Sequence, residues 1–168
     1  MKKLLLILSC GVLFSNVSFA QTLKLGYINS QELLMSMPER AKADTVVQQY
    51  AKQFQDQIET MGKEYQSKVQ QYQSGEKTMT DAIKEVKMRE IQDLQNRIES
   101  TQQSAKEKVD QKKMEVYNPI LEKADKAIKA VAKEKGFDYI FDASGGFMLY
   151  GKEGDNVLPL VKAKLGLK

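Results

Sequence analysis

From Ala43 to Tyr72 the apolar residues fall at spacings of 4, 3, 4, 4, 3, 4, 4 and 3, passing through Val47, Tyr50, Phe54, Ile58, Met61, Tyr65 and Val69. Position 47 recurs at 58 and 69, position 50 at 61 and 72, and position 54 at 65, so the repeat is eleven residues long. That period, about 3.67 residues per turn, favours nearly straight or slightly right-handed winding over a left-handed supercoil. A second stretch keeps the period through Ile83, Leu94, Ala105, Val116 and Ala127, with Ile98, Val109, Ile120 and Val131 as a second row. Its third row is broken, reading Ile91, Gln102, Lys113 and Ala124. A stripe this narrow can zip two helices together, but it cannot make a globular core.

Ser74-Gly75-Glu76-Lys77-Thr78 is the turn-like cluster between the two stretches, and so short a connection makes them antiparallel. The first helix is predicted over Glu39–Gln73, about 50 Å long, and the second from Thr80 or Asp81 to Lys135, about 80 Å long. Gly136 supplies the C-terminal cap of the second, and Pro119 is its one internal proline. The longer helix overhangs its partner, so its far end must return to whatever base the remaining residues build.

That base is small. Leu23 to Asn29 reads as a strand with Leu23, Leu25 and Tyr27 on one face. Ser30 can cap a short helix through Met35, and Pro38 marks a break or the first turn of the next helix. Phe137 to Asp142 alternates as a strand with one buried face, Ala143 to Gly146 as a hairpin connection, and Phe147 to Tyr150 as the returning strand. A short final helix runs through Leu165 with Pro159 in its first turn. A three-stranded sheet is marginal alone, and its edges invite another chain. The faces carrying Leu23, Leu25, Tyr27, Phe137, Tyr139 and Phe141 are therefore candidate oligomerisation surfaces. The fold class expected is α+β, predominantly α: a long antiparallel helical-hairpin (coiled-coil) arm on a small β body that oligomerises.

The N-terminus reads as an address. Lys2 and Lys3 precede an uncharged run from Leu4 to Phe14, and Ser18-Phe19-Ala20 places small residues at −3 and −1 of a cleavage site. Taking Cys10 instead as a lipidated N-terminus would shrink the apolar region to Leu4–Leu8, so cleavage after Ala20 by the ordinary Sec route is expected. The run is too short for a comfortable membrane span. The chain is accordingly divided into a signal peptide (1–20), a strand and short helix of the body (21–38), the hairpin arm (39–118), and the helix base, β-hairpin and final helix of the body (119–168).

Composition matters through what it removes. No His is present and the single Cys leaves with the signal, so His-based triads, His zinc sites, Cys clusters and disulfides are excluded. The formal charge of +4 falls to +2 after cleavage, which weakens any argument for a polyanionic partner. No GxxxxGK[ST] or strand-linked GxGxxG occurs, and Gly145-Gly146 fits a hairpin turn better than a phosphate loop. Glu64 and Glu85 sit among solvated helix charges, and nothing beside Asp138 and Asp142 completes a metal site. Neither an enzyme nor a cofactor is expected, and mixed charge without basic blocks argues against nucleic acid.

The more informative residues are Tyr50, Phe54, Met61, Tyr65, Tyr72, Met79 and Met88. The plain account has the first five filling the hairpin seam. The functional account notes that the facing helix is too poor in apolar groups to cover them. Aromatic and Met surface left open suits promiscuous contacts, since Met is flexible and Tyr amphipathic. Gly62, inside the first helix, is either a pivot or a close-packing point.

Across the mature chain the sequence resembles the Skp (OmpH) family of periplasmic chaperones. The resemblance rests on the opening strand Lys24–Asn29, the Gln/Lys-rich hairpin, the helix–Gly–strand junction from Ala127 to Asp142, and the closing Leu158–Leu165. It implies a homotrimer whose strands form a compact body, with three arms enclosing a cavity. It also implies an ATP-independent periplasmic holdase that binds unfolded outer-membrane proteins, and it brings no catalytic residues. The weak charge departs from the strongly basic character frequent in the family. The alternative reading is a structural hairpin, an adaptor or spacer in a cell-envelope assembly, whose tip around Gly75 to Asp81 docks on one defined partner.

Overall fold

A computed structural model describes residues 22–167. The signal-peptide expectation for 1–20 lies outside the described residues. The element order is β1 (Leu25–Ile28), α1 (Ser30–Ser36), α2 (Pro38–Gly75), α3 (Asp81–Lys135), β2 (Tyr139–Asp142) and α4 (Leu158–Lys164), with 3-10 turns at Glu76–Thr78 and Glu153–Asp155.

Local chemistry accounts for the boundaries. Pro38 opens α2, where its missing N–H costs no intrahelical bond. The Thr80 hydroxyl accepts from Ile83 N at 3.4 Å to cap α3, and Gly136 ends that helix in the left-handed conformation, φ 69°. One capping expectation is corrected. Asn29, rather than Ser30, caps α1, its Oδ1 accepting from Glu32 N at 3.0 Å. The Ser30 hydroxyl is used elsewhere, donating to Asp142 Oδ2 at 2.6 Å.

The sheet differs from the expected three strands. β1 and β2 pair in parallel, Leu25 opposite Tyr139 and Tyr27 opposite Phe141, and these two are the whole sheet among the described residues. A parallel pair needs a long crossover, and here the crossover is α1 and the entire arm. Ala143 to Gly146 does turn, with Gly146 at φ 73°, but Phe147 to Tyr150 forms no returning strand. β1 occupies one edge of β2, the other edge of β1 is met by a single bridge, Tyr27 to Asn156, and the second edge of β2 has no strand partner among the described residues.

The core lies under one face of this sheet. Ile28, Leu33, Met37, Ala43, Ile120, Ala124, Ala127, Val131, Val157, Leu158 and Val161 are buried together, drawn from β1, α1, the base of the arm, α4 and the residues flanking them. Alanines at 124 and 127 let the helices approach closely. Gly26 does the same for β1, since a Cβ there would sit 3.0 Å from the Phe137 ring and 3.1 Å from Val157.

Beyond this core the arm is a thin seam. Met61, Leu94 and Ala105 are the buried residues between Asp44 and Tyr117, as the narrow stripe demands. The rest of the arm is held by half-covered apolar groups, by ion pairs within one helix such as Lys52–Asp56 at 2.7 Å, and by Lys68–Glu90 at 3.0 Å across the helices. Exposed pairs of this kind are worth about 0.2–1 kcal/mol each, so the seam carries most of the pairing energy.

Candidate functional site

The first surface is the outer face of the sheet. Strand alternation turns Gly26 and Ile28 towards the core and Leu25 outward, while Tyr27 is half covered. On β2 the outward pair, Tyr139 at 57% and Phe141 at 53% exposure, stack with ring centroids 6.4 Å apart. The parallel register aligns Leu25 with Tyr139 and Tyr27 with Phe141, so four of the six candidate oligomerisation residues share one face. Leu23 is exposed just before β1. Phe137 does not join them: it packs against the core, with Lys24 Nζ 4.4 Å above its ring.

Three residues absent from that candidate set are the most open large apolar groups on the described surface. Phe147, Leu149 and Tyr150 are 93%, 95% and 82% exposed. Reading their segment as a returning strand assigned them a cover that the chain does not supply. The signal was present, since Phe147-Met148-Leu149-Tyr150 has no polar residue. Tyr150 and Met148 border a hollow of about 180 Å³ with Leu25, Tyr27 and Phe141, which joins this segment to the sheet face.

The second surface runs along the arm. Met61 is buried in the seam, its Sδ 3.9 Å from the Thr101 hydroxyl. Tyr50, Phe54, Tyr65 and Tyr72 are only half covered. Tyr50 and Phe54 meet edge to face at 5.3 Å, and Lys108 Nζ lies 5.8 Å from the Phe54 ring. Tyr65 borders a shallow hollow with Gln95, Ile98 and Glu99. So the plain and functional accounts each hold in part: Met61 fills the seam, and the four rings straddle its edge. Met79 folds back on the tip, its Cε occupying the space where a Gly75 Cβ would be. Met88 points into solvent. At Gly62 a Cβ would meet nothing within 4 Å, which removes the close-packing account.

Polar contacts pin the body. The Asp142 carboxylate accepts from the Ser30 hydroxyl, from Ser30 N at 3.2 Å and from Ser144 N at 2.9 Å. Burial pushes this carboxyl up, but those hydrogen bonds outweigh it and carry the pKa from 3.8 down to about 2. Where the arm joins the body, the Tyr117 hydroxyl donates to Asp44 and Lys123 donates to Glu39. The Lys123 hydrogen bond lowers the Glu39 pKa, and the Asp44 bond raises that of Tyr117. Asp138 accepts from Lys24 N at 2.6 Å, a structural role. Among the described residues no group of three or more His, Cys, Asp or Glu could hold a metal ion, and no helix is long and apolar enough to cross a membrane.

A thin-seamed helical hairpin raised on a small parallel-sheet body, with apolar groups uncovered on both, defines an arm-bearing coiled-coil protein. This chain belongs to the OmpH-like outer membrane protein family, whose model matches residues 24–165. Similar curated proteins are chaperone proteins Skp. That of Photorhabdus laumondii subsp. laumondii is 28% identical over 161 residues, spanning 94% of each chain. That of Vibrio cholerae is 24% identical, spanning 91% of this chain and 88% of its own. An OmpH-like outer membrane chaperone from Caulobacter crescentus shares the fold with a TM-score of 0.73 at 11% identity, over 85% of this chain and 83% of that one. The resemblance read from the residues and the predominantly helical α+β class both hold. The relatives named here are chaperones by description rather than enzymes.

Proposed function

We propose that this protein is an ATP-independent periplasmic holdase that keeps unfolded outer-membrane proteins soluble, and that it works as a homotrimer after export and cleavage behind Ala20. The observation that carries the reading is the row of half-covered rings at Tyr50, Phe54, Tyr65 and Tyr72, held along the helical hairpin and open on one side. Many weak contacts of this kind, multiplied over several arms, retain a chain without reading its sequence. Met61, sealed in the seam, contributes through packing, Met88 on α3 extends the open surface, and Met79, folded back at the tip, would have to swing out to reach a client.

Assembly follows from the body. The face bearing Leu25, Tyr27, Tyr139 and Phe141, with Leu23 beside it and Phe147, Leu149 and Tyr150 uncovered, needs a cover that one chain lacks. Other copies of the same chain supply it, and Phe137 supports that face from the core side. An adaptor reading needs an epitope at the tip, where Met79 is folded against Gly75 among polar residues.

The test is dilution of a denatured outer-membrane β-barrel protein into buffer with the purified protein, followed by light scattering. Suppression without nucleotide, at about one trimer per client, is expected. Unchanged scattering at excess protein refutes the holdase. The mass in solution should be three times that of one chain, and Tyr139→Glu with Phe141→Glu should reduce it to one.

A further inference from the structure

At the foot of the arm, α1 and α3 enclose a groove that the holdase reading does not use. Its larger part, about 380 Å³, has an apolar floor of Leu34, Tyr117, Ile120 and Leu121. It continues past Leu34 and Leu121 into a second hollow of about 200 Å³ that reaches Leu33 and Ile128. Volumes of this order receive one large side chain and then a smaller one.

The groove is electrically lopsided. Arg40 and Lys113 line its larger part. Lys113 has no ion pair among the described residues, and Arg40 has only a long contact of 3.8 Å from Nε to Asp44 Oδ2. Asp44 is already engaged, because its other oxygen accepts the Tyr117 hydroxyl. The remaining guanidinium donors of Arg40 therefore have no partner among the described residues. At the opposite end the carboxylate is Asp125, held by Lys129 at 2.8 Å. One cation unpaired among the described residues, Lys113, and a second, Arg40, held by a single long ion pair, lie beside an apolar floor, which suits an anion and an apolar group carried close together.

We propose that this groove docks the C-terminal residue of an extended, apolar client chain, its carboxylate between Arg40 and Lys113 and its side chain on the Leu34–Tyr117–Ile120–Leu121 floor. A chain terminus places the carboxylate one bond from the Cα that bears the apolar side chain. An internal Asp or Glu uses its side chain for the carboxylate, so its apolar group must come from a neighbouring residue. The preceding residues of the strand would run towards Leu33 and Ile128, with alternate side chains facing the second hollow. This proposal rests on the holdase reading for the nature of its occupant. It adds that one end of the client is held in register while the arms hold the rest loosely.

The test uses the full protein and a fluorescent octapeptide of alternating apolar and polar residues ending in leucine. It is made once with a free C-terminal carboxylate and once as the amide, and binding is read by fluorescence anisotropy. Loss of two charge-assisted hydrogen bonds should weaken the amide by at least about tenfold. Lys113→Met and Arg40→Gln should erase that preference while leaving helix content and mass in solution unchanged. Leu121→Glu, on the floor, should weaken the free acid directly. Equal binding of acid and amide by the unmodified protein overturns the proposal without any variant. A fall in mass with Lys113→Met also overturns it, since a second copy would then be the occupant. Aggregation suppression that survives equal acid and amide binding rejects this groove alone, whereas loss of suppression rejects the holdase reading itself.

Discussion

Gly62 sits in the middle of α2, and replacing it with alanine isolates one physical effect. A Cβ at this position meets no atom within 4 Å, so the substitution creates no clash and fills no cavity. What remains is backbone entropy: glycine in a helix interior is about 0.8–1 kcal/mol less favourable than alanine. Because the alanine acts mainly on the unfolded chain, Gly62→Ala should stabilise the protein by roughly 0.4–1 kcal/mol. For a chain of this size that corresponds to a rise of about 1–4 °C in the melting midpoint. Circular dichroism at 222 nm, at matched protein concentration because assembly shifts apparent stability, is the measurement. The direct contrast is Gly26→Ala, where the added carbon would press on the Phe137 ring at 3.0 Å and Val157 at 3.1 Å. That variant should melt lower. A lowered midpoint for Gly62→Ala would refute the argument that its surroundings are open.

Other outcomes follow from the same geometry. Leu94 is one of the three buried residues of the arm seam, so Leu94→Ala should destabilise the hairpin by about 2–5 kcal/mol and raise hydrogen exchange throughout the arm. Asp142, with a native pKa of about 2 against an ordinary 3.8, contributes stability that is fully present above about pH 5 and is lost progressively as the pH falls through about 2. The carboxylate is partly exposed, so that contribution is at most about 1 kcal/mol after screening. Denaturant titrations of Asp142→Asn should show the loss at neutral pH and a flatter acid limb. Phe147→Ser with Leu149→Ser should leave the single-chain fold intact, because neither residue packs on it, yet lower the mass in solution if the segment is covered by another copy.

The residues differ in how openly they declare their places. Thr80, Gly136 and Pro38 carry local signals, so the ends of α2 and α3 are readable within a residue or two. The eleven-residue row is likewise local, and it correctly makes Met61, Leu94 and Ala105 a seam. Ser30 misleads because Asn29 and Ser30 are both good caps, and the choice depends on Asp142, which is 112 positions away. Phe147 to Tyr150 misleads for a different reason. Apolarity announces that a segment wants a cover, but not which strand provides it. The Arg40–Lys113 groove has only an ambiguous signal in the sequence. Lys113 reads as a defect in a repeat until α1 is folded beside it.

Periodicity, capping residues and turn chemistry, all properties of short stretches, determined that this chain makes a long antiparallel hairpin on a small base. Tertiary structure decided what no short stretch encodes. It made β1 and β2 parallel neighbours across the whole arm, placed Phe137 in the core rather than on the outer face, and left Leu25, Tyr139, Phe141 and the 147–150 segment without cover. The reason is that helix formation is settled over a few turns, whereas strand pairing and burial depend on partners more than a hundred residues distant.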